Sequence, residues 1–282
     1  MTFDLGHGGE VPVRDAATVM LLRDGDAGVE VFMLRRNLDS DFVGGAYVFP
    51  GGAVDPSDGD PAVEAISLLS DSVASERLGL DRGGLAYWVA AIRESFEEAG
   101  LLMALDDRGA IVRFDSPDVE DRFTAYRRAV DSDERPLRDV VSVEHLVLAT
   151  DRIHYFSRWI TPLGAPRRYD TRFFVAIAPD AQTPLHDDRE VIANLWIRPA
   201  DALARHQAGE FDLIFPTVRS LEALVPFETA SEVVEHAAAL TSVEPACPAI
   251  VQVGGGLRIV MADDEVYDAL TARRIDGREL PG

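Results

Sequence analysis

The chain predicts an α/β protein, on three observations. Runs rich in β-branched and aromatic residues recur at 17–22, 29–34, 46–49, 173–177 and 193–197. Segments with helical spacing of apolar residues lie between and after them, at 87–101, 117–130, 199–208, 216–224 and 229–240. Apolar residues make up 47% of a 282-residue chain, enough for a sizeable core in one large domain or a domain with appendages. No apolar run approaches the ~20 residues that cross a bilayer, so no membrane partner is expected.

Charge narrows the partners. The formal net charge is −22, and all 27 basic residues are arginine. Nucleic acid is excluded as a bulk partner, because phosphate contacts need a basic surface. An anionic small molecule would meet a repulsive average field and would have to be received by local arginines and bound metal. Cys247 is alone, so no internal disulfide is expected. Met1 to Glu10 lacks the basic and apolar regions of a signal peptide, and both features predict a cytoplasmic protein.

In chain order, 17–22 and 29–34 form a predicted hairpin around Asp24-Gly25-Asp26-Ala27-Gly28, which delivers Arg35 and Arg36 just beyond its second strand. These arginines either end an edge strand or grip a substrate phosphate with their planar forks. A loop over 37–45 leads to a short strand at 46–49 and then to Pro50-Gly51-Gly52, where glycines let the backbone turn and approach a ligand closely. Residues 61–69 have helical periodicity within a mostly helical insertion over about 55–84. A second helical insertion is expected over about 116–150, from helix-compatible spacings at 117–130 and 136–148. It serves substrate specificity, packing or a homodimer contact.

The chemistry concentrates in Arg93-Glu94-Ser95-Phe96-Glu97-Glu98-Ala99-Gly100-Leu101. At about 100° per residue, Glu94, Glu97 and Glu98 fall within roughly a 100° arc while Ile92 and Phe96 point away. Two carboxylates 4 Å apart repel by about 4 kcal/mol at an effective dielectric near 20. A hard divalent cation, most simply Mg²⁺, turns that penalty into a binding site. The plain alternative is a solvated acidic face with an Arg93–Glu97 pair at i, i+4.

A strand into Pro-Gly-Gly, followed by a glycine-ended helix bearing Arg-Glu-x-x-Glu-Glu, resembles the Nudix hydrolases. Their box is a glycine, five residues, a Glu, seven residues, then Arg-Glu, an apolar residue, any residue, Glu-Glu, any residue, Gly and an apolar residue. Gly52, Arg93, Glu94, Glu97, Glu98, Gly100 and Leu101 match it. Two departures stand out. Glycine and arginine are 41 positions apart (93 − 52) against 14 in the family pattern, as in the long-insertion branch that contains the peroxisomal coenzyme A diphosphatases. For the first Glu the nearest candidate is Asp55, and Ser95 stands where an apolar residue is usual.

The resemblance covers roughly 15–225 and implies an α/β/α sandwich with a mixed sheet. It makes 1–225 a Nudix domain carrying both insertions, and 226–282 a C-terminal helical and edge-strand extension of the same domain. It implies hydrolysis of the diphosphate of a nucleoside-diphosphate-linked metabolite, such as coenzyme A or acyl-coenzyme A, with Mg²⁺ or Mn²⁺. Glu94, Glu97 and Glu98 are the implied metal ligands, Glu97 and Glu98 acting in catalysis with Arg93 to orient them. Gly51, Gly52, Arg35 and Arg36 are the implied substrate contacts, joined by Arg167 and Arg172 on the approach to the strand at 173–177. The rival reading there is an arginine network around Asp170. Glu190, six residues before Trp196, is the expected general base or extra ligand, with Asp187 second. A catalytically weak sensor that binds nucleotides through the split box is the alternative function.

Overall fold

The computed structural model describes residues 11–37, 44–184, 191–253, 256–261, 274–275 and 278–279. Glu190, Asp187 and Met1 to Glu10 lie outside them.

The predicted hairpin is present and longer than its apolar runs, with β1 (Val13–Gly25) antiparallel to β2 (Gly28–Arg36). Then come β3 (Tyr47–Val48) and β4 (Gly51–Ala53). Strand β1 is shared along its length. Its first half pairs with β4, Ala17 opposite Gly52 and Thr18 opposite Gly51, and its last residues pair with β2. This split brings the Pro-Gly-Gly turn onto the middle of the sheet.

Two 3₁₀ turns (Pro56–Gly59 and Pro61–Ile66) and α1 (Asp71–Leu78) fill the first insertion, where helical spacing predicts a helix over 61–69. Each 3₁₀ turn begins at a proline and closes through bonds three residues apart, Asp58 N to Asp55 O in the first and Val63 N to Asp60 O in the second. Next are α2 (Leu85–Ala99) and β5 (Ala104–Leu105), then α3 (Pro117–Asp131), α4 (Leu137–Val143) and β6 (Val147–Leu148). The helical spacing over 136–148 therefore yields only a two-turn helix and a strand. His145 takes a positive φ of 53° and breaks the helix before Leu146.

The remaining sheet strands are β7 (His154–Ile160), β8 (Arg168–Ile177) and β9 (Val191–Ile197). They are followed by α5 (Pro199–Gln207), α6 (Phe215–Leu224), α7 (Ala230–Ala239), β10 (Pro245–Ala246) and a hairpin of β11 (Ala249–Val253) with β12 (Gly256–Val260). The sheet runs β10-β7-β8-β1-β2-β3, with β4 on β1 and β9 on β2. It is mixed, because β1 and β8 are parallel while β1 with β2 and β7 with β8 are antiparallel.

Alternation along the strands divides the core in two. Ala17, Val19, Leu21, Phe32, Leu34 and Phe174 face Trp88, Ile92 and Phe96 of α2. Met20, Leu22, Val31, Met33, Phe173 and Val175 face Leu221, Leu224, Val233 and Ala237 of α6 and α7. The architecture is an α/β/α sandwich. Strand β8 is buried from Arg172 through Ala176, whereas Ile177 at its end is 46% exposed.

The first insertion is clamped to α2 at Gly84. Its N–H bonds Ser75 Oγ at 2.9 Å, and a Cβ there would lie 2.4 Å from Ser75 N. The clash is with backbone, so the helices would have to part. Gly84→Ala is expected to lower stability by about 1–3 kcal/mol, measured as a shifted urea midpoint; an unmoved midpoint would show that α1 yields freely.

Candidate active site

Helix α2 is buried on nearly every side until its last two turns, where the glutamates emerge. Gly100 ends it at φ 70°, the left-handed region that glycine occupies without a Cβ penalty. Ser95, set where an apolar residue is usual, is fully buried and satisfied by donating to Leu101 O at 2.8 Å. A hydroxyl thus replaces an apolar group without leaving an unpaired polar atom.

The glycine turn lies directly against the acids. Gly51 N donates to Glu98 Oε2 at 3.0 Å. A Cβ on Gly52 would come within 2.3 Å of Glu94 Oε1, and one on Gly51 would meet Thr18 Oγ1 at 2.4 Å and Ala17 O at 2.6 Å. Both glycines are therefore required sterically, one by a carboxylate and one by the sheet.

Arg93 lies behind the acids, 6% exposed. Its Nη1 donates to Glu94 Oε1 and Glu97 Oε2, each at 2.9 Å. Its Nε and Nη2 grip Asp58 at 3.0 and 3.1 Å, and Nη2 also reaches Ala53 O at 2.8 Å. All five guanidinium donors are used. The i, i+4 pair with Glu97 exists, as one strand of a larger knot.

Asp58 corrects the expectation for Asp55. Asp55 lies 3.7 Å from Arg93 with its side chain 45% exposed, whereas Asp58 is 2% exposed and bidentate. The signal was present in the sequence: Asp58 stands six residues after Gly52, the box's own spacing for its first acid.

Burial dominates the electrostatics. It is the largest cause raising Glu94 to about 7 and Glu97 to about 8, opposed in each by the charge of Arg93. Burial also raises Asp58, against its bonds to Arg93. The burial of Arg93 itself works against its charge, but Asp58, Glu94 and Glu97 outweigh that and hold it firmly cationic. One cation thus faces three enclosed carboxylates, with Glu98 beside them.

Among the described residues no three acidic, imidazole or thiol groups converge as a finished ligand set. Glu94 and Glu97 each turn an oxygen to Arg93, and Glu98 turns one to Gly51. The donor set nevertheless fits a hard divalent ion. It offers carboxylate oxygens only, carries a charge deficit that burial makes costly, and has a glycine cradle kept open beside Glu94.

The family model described as the NUDT19 Nudix domain matches residues 81–224, 144 positions (224 − 81 + 1) or just over half of the chain. The chain belongs to the Nudix hydrolase family. The acyl-coenzyme A diphosphatase NUDT19 of Gallus gallus is 28% identical over 307 residues, covering 90% of this chain and 79% of that protein. Its Homo sapiens counterpart is 25% identical over 276 residues, covering 85% and 72%. The crystal structure of a Nudix hydrolase from Alicyclobacillus acidocaldarius superposes with a TM-score of 0.65 at 29% identity, over 84% of this chain and all of that one. As a Nudix hydrolase, the protein is a diphosphatase that works with a divalent metal ion.

The other expected Nudix site residues are scattered. Arg35 stands opposite Tyr47, on the edge that runs into the glycine turn, with its guanidinium 5.7 Å over that ring. Its Nε is enclosed without a hydrogen-bond partner among the described residues. Arg36 is half-buried, its backbone paired with Ala46. Arg167 is exposed just before β8. Arg172 is 2% exposed, 2.7 Å from Asp170 Oδ2 and 4.6 Å over Tyr87, and Arg158 grips the same Asp170 at 2.9 and 2.7 Å. That is the arginine network around Asp170.

Gly52→Ala pushes the Glu94 carboxylate off Arg93 rather than moving backbone, so turnover is expected to fall at least ~10-fold; wild-type turnover would show that Glu94 need not sit there. Protonation of Glu94 and Glu97 stabilises the metal-free fold fully below the unfolded value of 4.5 and is lost as pH rises through about 7 and 8. The melting temperature in EDTA should therefore carry a component that falls from about pH 5 to about pH 9, and saturating Mg²⁺ should offset it. Identical profiles with and without EDTA would contradict this.

Proposed function

We propose that this enzyme hydrolyses the diphosphate of coenzyme A or acyl-coenzyme A, with Mg²⁺ as the working ion and Mn²⁺ able to replace it. The observation that carries the reading is the acidic turn of α2, held by Arg93 and pressed against Gly51 and Gly52. The substrate is supported by relatives named acyl-coenzyme A diphosphatase that align over 72–79% of their length.

In this reading Glu94, Glu97 and Glu98 hold the ion. When bound, it neutralises the diphosphate and lowers the pKa of a coordinated water. Arg93 orients Glu94 and Glu97 and supports their charge from behind. Gly51 and Gly52 admit the diphosphate to the carboxylates without a side chain in the way. Arg35 is the best-supported phosphate contact, because its enclosed Nε lacks a protein partner among the described residues. Arg36 and Arg167 remain candidates, whereas Arg172 already spends its charge on Asp170. Glu190 stays the candidate base; it immediately precedes Val191, which pairs with Arg36.

A homodimer through the second insertion belongs to this proposal, supported by Val143 of α4, which is 58% exposed. So does a reducing, cytoplasmic setting, supported by the lone Cys247, buried with its thiol raised to about 11 chiefly by that burial. No helix among the described residues is long and apolar enough to cross a membrane.

Incubation with coenzyme A, acyl-coenzyme A, NADH and ADP-ribose in Mg²⁺ or Mn²⁺, followed by chromatography, tests the assignment. Phosphopantetheine or its acyl form, together with 3′,5′-ADP, is the expected product pair. Glu97→Gln and Glu98→Gln should each reduce turnover about 10–100-fold. Tight binding without products would instead favour a sensor.

A further inference from the structure

Glu97 and Glu98 sit on the last turn of α2, where the helix cannot satisfy its own carbonyls. Gly100 N donates to Phe96 O at 3.0 Å, and Leu101 N to Ser95 O at 3.2 Å. These closing bonds serve residues 95 and 96 and leave the next two. Arg127 of α3 reaches both of those, Nε donating to Glu97 O at 2.7 Å and Nη2 to Glu98 O at 3.3 Å.

Arg127 is 7% exposed, so these bonds are made away from competing water. Its charge complements the negative end of the helix dipole. Its planar fork fixes two successive carbonyls at once, which a lysine ammonium on a flexible stem does not. The side chains of Glu97 and Glu98 hang from those same peptide units. A small twist of the turn would carry both carboxylates away from Arg93 and Gly51. A cavity of about 310 Å³, lined by Phe96, Gly100, Phe123 and Thr124, adjoins the guanidinium, so truncating Arg127 would open the turn to that space.

We propose that Arg127 is a positioning residue of the metal site, holding the last turn of α2 at the rotation in which Glu97 and Glu98 join Glu94 around a divalent ion. The proposal rests on the assignment of those glutamates as ligands. It gives the second insertion a part in the chemistry: α3 completes the helix end that carries the acids.

Mn²⁺ affinity, read by electron paramagnetic resonance on the full chain, tests it without turnover. Arg127→Ala should weaken Mn²⁺ about 10–100-fold and remove hydrogen-exchange protection from the Gly100 and Leu101 amides in the metal-free protein. Arg127→Lys should recover only part of the affinity. Arg122→Ala is the control, since Arg122 lies on the same helix but pairs with Glu144; its Mn²⁺ affinity should match wild type. A folded Arg127→Ala with wild-type affinity overturns the proposal. Should that variant not fold, Arg127→Lys decides, wild-type affinity again overturning it and weakened affinity supporting it. Glu97→Gln and Glu98→Gln run in parallel separate the two failures. If they lose Mn²⁺ while the Arg127 variants keep it, the positioning role alone is wrong; if they keep it, the ligand assignment fails and the proposal falls with it.

Discussion

One guanidinium ties the two halves of the site together. Arg93 joins the Ala53 carbonyl, just before the first insertion, and Asp58, near its start, to Glu94 and Glu97, which follow it. A buried ion pair is weak evidence of stability, because desolvating both partners offsets their attraction. What it supplies here is geometry. Arginine has five donors in a rigid plane, and each is aimed at a different acceptor, so the rotations of Asp58, Glu94 and Glu97 are set together. Burial meanwhile disfavours the charged forms of Glu94 and Glu97 in the metal-free site, a penalty that a bound divalent ion would offset.

The insertions are less of an interruption than their length suggests. Thirty-four residues (93 − 58 − 1) separate Asp58 from Arg93. Loop-closure entropy rises only with the logarithm of length, so they add little cost once the ends are held. They are also packed. Leu68 N bonds Leu148 O at 3.3 Å and Leu69 N bonds Thr150 Oγ1 at 2.9 Å, while Arg138 of α4 is ion-paired with Asp60. Trp88 Nε1 reaches Ile153 O at 2.9 Å and secures α2 to the chain beyond the second insertion. The two excursions brace each other and the helix that carries the acids.

Much of this was legible locally. The hairpin, the glycine stop of α2 and the C-terminal helices follow from periodicity and turn residues, which act over a few positions. Asp58 was legible too, from its spacing to Gly52, but a nearer acid competes for the assignment until burial separates them. The helix expected over 136–148 shows the opposite case. Its apolar spacing suits a helix, yet Val147 and Leu148 pair with Ala104 and Leu105, and the turn at His145 follows from that pairing. Gln182 had no local signature at all; it bridges Leu102 and Val112 from 80 and 70 residues away.

By itself the sequence determined the inventory of the site: a glycine turn, an arginine and three acids within one arc of one helix. Those follow from residue identity and a 3.6-residue period, which need no distant partner. Only the tertiary structure decided which arginines are available and which are spent. Arg172 and Arg35 read alike along the chain, but Arg172 is ion-paired with Asp170 over Tyr87, while Arg35 lies over Tyr47 and makes no ion pair among the described residues. Arg127 reaches the Glu97 and Glu98 carbonyls only because α3 folds back on the end of α2. A long cationic side chain takes its role from what surrounds its tip, and that surrounding is assembled from strands and helices far apart in the sequence.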